Sequence, residues 1–234
     1  MEEKKLNILY EDNHLIVAIK PQNIPSQADE SKDLDMLNMV KDYIKAKYNK
    51  PGEAFVGLVH RLDRPTGGIM VFAKNSKSAS RLSQQIKDNE MKKTYYCVCS
   101  SIPKDKEGML VNYLKKDEKE NIVKIVPLSE VGAKKAELSY KVLQTKDDFA
   151  LCQVNLITGR SHQIRVQFAG INCPLVGDNK YGKNNKSASN NLGLWAGRIE
   201  FVHPVTKQKM IFACPPNLDK SPWNKFYMEK YFVR

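Results

Sequence analysis

Short apolar segments separated by turns dominate the pattern of hydrophobic and polar positions along this chain. The opening segment NILYEDNHLIVAIK predicts two short strands divided by a turn at Asp12 and Asn13. Further strands are predicted in IMVFAK, KTYYCVCSSI, AELSYKVLQT, FALCQVNLI, LWAGRIEFVHP and KMIFACP, and a charged hairpin over residues 104–126. Strands therefore account for most of the regular structure that the pattern predicts.

Helical spacing is confined to a few segments. LDMLNMVKDYIKAK carries apolar residues on one helix face, and SKSASRLSQQIKDN predicts a second helix with Ser76 as its cap. A short helix is expected after Gly159, capped by Ser161, and a C-terminal helix in WNKFYMEKYF. Many strands with few helices favour an α+β fold around a mixed, largely antiparallel sheet with flanking helices. Because no repeat or long linker is found, residues 1–234 are expected to form a single domain.

The charge composition of the chain indicates what kind of molecule it binds. The chain carries 38 Lys and Arg against 26 Asp and Glu, and this net charge of +12 attracts polyanions such as nucleic acids. No apolar run approaches the roughly 20 residues needed to span a bilayer. The charged N-terminus also lacks the regions of a signal peptide. We therefore expect a soluble, cytoplasmic protein.

The sequence carries no signature of a metal site or a bound cofactor. Its five cysteines are scattered and never form CxxC, which fits neither a disulfide framework nor a zinc site. No HExxH, P-loop or GxGxxG motif occurs. We therefore expect no metal and no cofactor, and the cysteines are predicted to be small, mostly buried apolar residues: Cys97, Cys99, Cys152, Cys173 and Cys214.

One short segment concentrates candidate chemistry. LVHRLDRPTGGIMVFAK places Asp63 between Arg61 and Arg64, just before a predicted strand. Asp ahead of a Pro-Gly turn commonly bonds to its own backbone, so these residues alone explain Asp63 equally well as a turn former. Alternatively, nearby cations would hold its carboxylate ionised, as a nucleophile or a cation stabiliser. A second segment, ITGRSHQIRVQFAG, offers Arg165 and His162, for which surface or structural roles are the simpler interpretation.

Together these segments resemble the RluA-type family of RNA pseudouridine synthases. HRLD with its turn resembles the catalytic signature of that family, KKTYYCVCS its Lys-x-Tyr motif, and TGRSHQIRVQFA its arginine motif. ILYEDNHLIVAIKPQNIPSQ is similar to its opening hairpin, and PLVGDNKYG and LWAGRIEFVHP to its closing elements. Ordered matches along most of the chain are far more specific than any single motif. The resemblance implies the catalytic domain of that family.

The resemblance also implies roles for matching residues. Asp63 would be the catalytic carboxylate, Arg165 its ion-pair partner and Tyr95 the tyrosine against the target base. Because adjacent strand residues face opposite ways, only one of Tyr95 and Tyr96 can point at the base, and the Lys-x-Tyr match selects Tyr95. Contacts to substrate RNA are expected from further residues in the two matching segments: His60, Arg61, Arg64, Thr66, Arg160 and His162.

The chain departs from the family pattern at three positions. Gly67 stands where Ser is frequent, and Gln167 and Trp195 stand where His is frequent. None of these changes removes the Asp, Tyr or Arg, so they bear on substrate contacts more than on activity. Because the catalytic-type sequence begins by about Leu6, we also expect no N-terminal S4 RNA-binding domain, which family members often carry.

The function that the resemblance implies is isomerisation of specific uridines in rRNA or tRNA, by an enzyme that flips the target base out of its helix. We expect this enzyme to be a monomer. Two alternatives stay open. A catalytically inert RNA-binding protein would explain the charge, and it would keep its function after Asp63→Asn. A nucleic-acid N-glycosylase would also use a lone Asp, but it would release free uracil.

Overall fold

The computed structural model describes residues 6–49, 51–182 and 191–232. The chain divides into two compact units: Met1–Lys92 with Arg198–Cys214, and Lys93–Gly197 with Pro215–Arg234. The strand pairings within both units are antiparallel, and helices are few. The predicted α+β fold is therefore confirmed. That residues 1–234 act as a single domain stays a prediction.

The first unit is built on an apolar sheet. Its strands are β1 (Asn7–Glu11), β2 (Leu15–Lys20), β3 (Gly57–Leu58) and β4 (Gly67–Ala73), together with the last five residues of β10 (Leu194–Val202) and with β11 (Lys209–Ala213). β2 pairs with β1 and β4, β3 pairs with β4, and β10 pairs with β11. Every residue of β4 is buried, which explains why this strand is apolar along its whole length. Two helices complete the unit: α1 (Met36–Lys47) and α2 (Ser76–Lys87).

The second unit is a meander of long strands with one short helix. Its strands are β5 (Lys92–Cys99), β6 (Glu107–Asp117), β7 (Ile122–Val126), β8 (Lys134–Lys146) and β9 (Phe149–Leu156). They lie in the order β5-β9-β8-β6-β7. Helix α3 (Gln163–Gly170) is anchored by Val166, which packs with Leu114, Val123 and Ala136 in a buried apolar cluster. This cluster fixes the helix that carries the arginine motif.

Two predicted helix caps are wrong. The cap of α2 is Asn75, whose side chain accepts from the Ser78 N–H at 2.8 Å, so Ser76 is the first helical residue. α3 follows His162 rather than Ser161, and His162 has a left-handed backbone (φ 52°) with no capping side chain. Both errors are of one residue, because several polar side chains precede each helix and sequence alone does not choose among them.

The predicted C-terminal helix is also wrong. WNKFYMEKYF forms two single turns of 3-10 helix instead, Trp223–Lys225 and Glu229–Tyr231. Trp223, Phe226 and Met228 are the buried positions of this segment. Their spacings of three and two residues do not follow one face of an α-helix, so burying them requires irregular backbone.

Candidate active site

Asp63 lies in the loop between β3 and β4, on a tight turn. The Asp63 carbonyl accepts from the Thr66 N–H at 2.9 Å, so this turn bond uses the backbone of Asp63 and not its carboxylate. Gly68, the second residue of β4, has a φ of 129°, which L side chains rarely adopt. The Pro-Thr-Gly-Gly sequence is thereby explained as turn chemistry. The Asp63 side chain itself is half-buried.

The last residue of β2 and the segment after it hold this loop at its main chain. Ser26 Oγ donates to the Leu62 carbonyl at 2.7 Å and accepts from the Leu62 N–H at 3.0 Å. Lys20 Nζ donates to the Arg64 carbonyl at 3.0 Å. The residues immediately before and after Asp63 are therefore both fixed by hydrogen bonds from one neighbouring segment. We call this arrangement of Lys20, Ser26 and the 62–64 backbone the loop clamp.

Lys20 is the unusual member of the loop clamp, because it is fully buried. Its Nζ also donates to the carbonyls of Pro21 and Ile24. Burial lowers the pKa of Lys20 to about 7, an effect that the nearby Asp63 carboxylate opposes. Sequence reasoning missed this residue. The available signal was a charged residue closing the apolar strand LIVAIK, where a lysine must find partners if both faces are buried.

The arginines predicted to contact RNA have different surroundings. Arg61 and Arg160 are exposed, and Arg160 Nε donates to the Lys135 carbonyl at 2.8 Å. Arg64 instead contacts an acidic loop, with bonds to Ser31 and Asp33. Its guanidinium also lies 3.5 Å from Asp29. Arg64 is therefore part of a surface ion-pair network as well as a candidate for RNA contact.

His60 and Thr66, both predicted to contact RNA, have buried polar atoms in the loop. His60 Nε2 accepts from the Val71 N–H of β4 at 3.0 Å, which ties the start of the loop to the sheet. Thr66 is buried, and its Oγ1 makes no hydrogen bond within the described part of the chain. The contacts of His60 are those of a residue that positions the loop.

Strand β5 carries two adjacent tyrosines that face opposite ways. The Tyr96 ring packs on Phe232 and Tyr231, with centroid distances of 4.7 and 6.4 Å. It also lies so close to Gly197 that an added Cβ would sit 2.6 Å from the ring. Tyr95, on the other face of the strand, is 7% exposed. Tyr96 is therefore held in aromatic packing, and the role of Tyr95 as the active-site tyrosine stays a prediction.

Arg165 is held in a buried ion pair within the second unit. Its Nε donates to Asp178 Oδ2 at 2.8 Å and its Nη2 to Asp178 Oδ1 at 2.7 Å. The two side chains are 5% and 0% exposed. A guanidinium has five N–H donors, and this bidentate contact uses two of them. Sequence reasoning missed Asp178, although it stands in the matched segment PLVGDNKYG. That Arg165 also pairs with Asp63 stays a prediction.

Tyr181 completes the surroundings of Arg165. Its ring centroid lies 5.1 Å from the guanidinium carbon, within the range of a cation–π contact. The Tyr181 hydroxyl lies 2.7 Å from His162 Nδ1 and accepts from the Val123 N–H at 2.9 Å. His162, predicted to contact RNA, therefore has a structural hydrogen bond in this network.

The departures from the family pattern occupy buried positions. Gln167 Nε2 donates to the Leu110 carbonyl at 3.1 Å and to Asn112 Oδ1 at 2.8 Å, which ties α3 to β6. Gly67 begins β4 and Trp195 lies in β10, and both are buried. Gln167 thus has a structural role that its helical position did not reveal.

One group of side chains among the described residues offers three metal-ligand atoms. The sulfur atoms of Cys97, Cys99 and Cys152 lie within 4.8 Å of one another, because Cys97 stands opposite Cys152 on the neighbouring strand. Burial raises the pKa of the Cys97 and Cys99 thiols well above the usual value. Hydrogen bonds from these two thiols lower the pKa of Cys152 to about 5, so the cluster would hold one thiolate beside two neutral thiols. Zinc sites built from cysteines hold several thiolates, so this pattern favours core packing. Four of the five free cysteines are buried, as predicted.

Residues 14–170 match the family model described as RNA pseudouridylate synthase. The chain belongs to the RNA pseudouridylate synthase family. An uncharacterized RNA pseudouridine synthase of Bacillus subtilis, YhcT, is 32% identical over 217 residues, covering 92% of this chain and 70% of the relative. Ribosomal large subunit pseudouridine synthase C of Buchnera aphidicola subsp. Schizaphis graminum is 31% identical over 221 residues, covering 89% of this chain and 67% of the relative. The RluA-type resemblance is confirmed, and this pseudouridine synthase is an isomerase.

Solved structures show the same fold. Human RNA pseudouridylate synthase domain containing 4 superposes with a TM-score of 0.75 at 23% identity, covering 91% of this chain and 89% of that one. Human RNA pseudouridylate synthase domain containing 1 superposes with a TM-score of 0.72 at 20% identity, covering 92% of this chain and 86% of that one. Among the described residues, no helix of the synthase has the length and apolar character to cross a membrane.

Proposed function

We propose that this pseudouridine synthase isomerises one or a few uridines in rRNA or tRNA, with Asp63 as the reacting carboxylate. The observation that carries the proposal is the loop clamp: Lys20 and Ser26 fix the main chain on both sides of a half-buried carboxylate. A reacting group contributes most when its position is fixed before the substrate arrives. A turn former alone would not require a buried lysine and a buried serine aimed at its neighbours.

The proposed reaction exchanges one bond within the substrate. The bond from uracil N1 to C1′ breaks, the uracil turns while it stays bound, and C5 bonds to C1′. N1 gains a proton and C5 loses one, so no oxidant, reductant or outside group is consumed. As the first bond breaks, C1′ becomes electron-poor and the uracil anionic. A fixed carboxylate beside C1′ or the 2′-hydrogen can add, abstract a proton or stabilise the cation.

Arg165 and Tyr95 complete the proposed machinery. Arg165 would pair with the Asp63 carboxylate while Asp178 holds its Nε and Nη2, since one guanidinium can serve two carboxylates. Tyr95 would stack on the flipped base and replace part of the stacking lost on extrusion, which costs a few kcal/mol. The contacts of Tyr96 with the C-terminal aromatic residues support the assignment of this role to Tyr95.

The net charge of +12 supports RNA as the partner. The exposed Arg61 and Arg160 are proposed as phosphate contacts, and Arg64 as a further one. The name of the Buchnera relative, a ribosomal large subunit enzyme, supports rRNA as the substrate class. tRNA remains the second candidate, and a cytoplasmic, monomeric enzyme remains an expectation.

The test is to map pseudouridines in rRNA and tRNA by carbodiimide-dependent reverse-transcription stops. Cells with and without this gene would be compared, and the gene returned as wild type, Asp63→Asn or the matched control Asp105→Asn, which changes an exposed carboxylate. We expect one or a few stops to vanish without the gene. They should return with wild type and the control but not with Asp63→Asn, because Asn keeps the shape and removes the reacting charge.

Other results would contradict the proposal in distinct ways. If Asp63→Asn restored the reverse-transcription stops, Asp63 would not be the reacting carboxylate. Unchanged maps in rRNA and tRNA, with RNA binding retained by the purified protein, would favour an inert RNA-binding protein. Release of free uracil from substrate RNA would favour an N-glycosylase.

A further inference from the structure

The segment after α3 builds a fixed carboxylate at Asp178. Gly177 has a φ of 73°, in the region that favours glycine, and turns the chain so that Asp178 Oδ1 accepts from the backbone N–H groups of Lys180 and Tyr181 at 3.0 and 3.1 Å. The Asp178 carbonyl accepts from the Gly182 N–H at 2.9 Å. These local bonds restrain the carboxylate independently of its contact with Arg165.

The same segment restrains the guanidinium from two directions. Asp178 accepts two parallel hydrogen bonds from Arg165, which fixes the plane of the guanidinium as well as its place. The Tyr181 ring lies over it at 5.1 Å from the guanidinium carbon. Tyr181 is itself fixed, because its hydroxyl bonds to His162 and Val123 and its ring packs on the apolar cluster beneath α3.

Stability alone is a weak reason for this arrangement. Helix α3 is already anchored by Val166 in the apolar cluster and by Gln167, which bonds to β6. Buried ion pairs lose about as much in desolvation as they gain in attraction, and apolar replacements are often as stable. A buried pair with this geometry is better explained by a need to keep one charged group in one place.

We propose that Asp178 and Tyr181 are positioning residues that set the place and orientation of the Arg165 guanidinium, and so the rate of the chemical step. The inference rests on the proposed function, in which Arg165 pairs with the Asp63 carboxylate. Neither residue needs to touch the RNA. Their effect should therefore appear in kcat rather than in KM, and it should depend on Arg165.

The test is a double-mutant cycle between Asp178→Asn and Arg165→Ala, measured as pseudouridine formation on the RNA that the mapping identifies. The amide introduced by Asp178→Asn keeps the size of the side chain but removes its charge and one acceptor. We expect kcat to fall by about 100-fold with KM changed less than about threefold, the loss typical of a misplaced reacting group. In the Arg165→Ala background the same change should cost less than about threefold.

Tyr181 supplies a second pair of variants if Asp178→Asn does not fold. Tyr181→Phe keeps the ring over Arg165, whereas Tyr181→Leu removes it. We expect Tyr181→Leu to lower kcat by about tenfold, which corresponds to the loss of one partly desolvated cation–π contact. Tyr181→Phe should stay within about threefold of wild type. Equal kcat values for the Phe and Leu variants would exclude the ring from positioning Arg165.

Glu11→Gln is the matched control, because it breaks another buried carboxylate–cation pair, with Lys74 at 2.8 Å, outside the proposed site. It should lower the melting temperature and leave kcat unchanged. Equal kcat losses for Asp178→Asn with and without Arg165, or a similar loss in Glu11→Gln, would overturn the positioning role. Failure of the proposed function would look different: wild type and Asp63→Asn would then form equal amounts of pseudouridine.

Discussion

Lys20 in the first unit and Arg165 in the second are both buried cations, but they are satisfied in different ways. Lys20 Nζ donates to three backbone carbonyls, those of Pro21, Ile24 and Arg64. Arg165 instead forms a bidentate pair with Asp178. Carbonyl oxygens are neutral partners, and burial lowers the pKa of Lys20 to about 7. A guanidinium keeps its charge at any pH at which the protein is folded.

The difference teaches that burial of a cation serves two purposes in this synthase. Lys20 is a cross-link between two stretches of main chain, and its hydrogen bonds matter more than a permanent charge. Arg165 is held by the carboxylate of Asp178. This ion pair keeps the guanidinium in place, and the proposed reaction needs the charge of that group. Exchanging or removing these cations should therefore affect folding in one case and catalysis in the other.

The largest effect is expected from Arg165→Lys. Lysine keeps the charge but is a point donor that cannot match the bidentate geometry of Asp178. We expect kcat to fall by about 100- to 1000-fold, the loss typical of removing one preorganised donor. Pseudouridine formation under single-turnover conditions measures it. A rate within about threefold of wild type would mean that only the charge of Arg165 matters.

Lys20→Met should act mainly on stability. The substitution keeps the length and apolar stem but leaves the carbonyls of the loop clamp without their donor, at a cost of about 3 kcal/mol in the free energy of unfolding. Urea denaturation at pH 10, where the buried amine is neutral, measures this cost. Lys104→Met, at an exposed position, is the control and should be neutral. If both variants unfold at the same urea concentration, Lys20 is not a cross-link.

A related effect should appear in the pH dependence of that difference. The pKa of Lys20 is about 7 in the folded protein and near 10.5 in the unfolded chain, so the unfolded chain binds more protons between these values. The stability that wild type gains from this group is therefore present above pH 10.5 and lost as the pH falls through 7. We expect the stability of wild type relative to Lys20→Met to rise between pH 7 and 10. A flat difference would contradict the lowered pKa.

The smallest effect on stability is expected from Arg64→Ala. The arginine side chain is 42% exposed, and exposed ion pairs with Asp29 and Asp33 contribute little because water and salt screen them. We expect the melting temperature to change by less than about 2 °C. If Arg64 contacts a phosphate, the variant should bind RNA more weakly. The slope of the logarithm of the binding constant against the logarithm of the salt concentration should then fall by about one. A large loss of stability would instead assign Arg64 to the folded core.

The local structure near Asp63 was largely predictable. The strand after it and the turn at the Pro-Thr-Gly-Gly sequence follow from short-range rules of alternation and turns. The partners of its neighbours were not predictable in this way. Lys20 reaches the carbonyl of Arg64 across 44 positions of sequence, and no periodicity records such a bond.

The sequence by itself determined the strands apart from the two-residue β3, the helices apart from their caps and the C-terminal segment, and the family. Alternation, helical spacing and motifs are local patterns. Only the tertiary structure decided that Lys20 clamps the loop, that Asp178 holds Arg165 and that Cys152 of β9 meets Cys97 and Cys99 of β5. The physical reason is that a buried polar group must find a partner, and its partner is whichever group the fold brings within hydrogen-bonding distance.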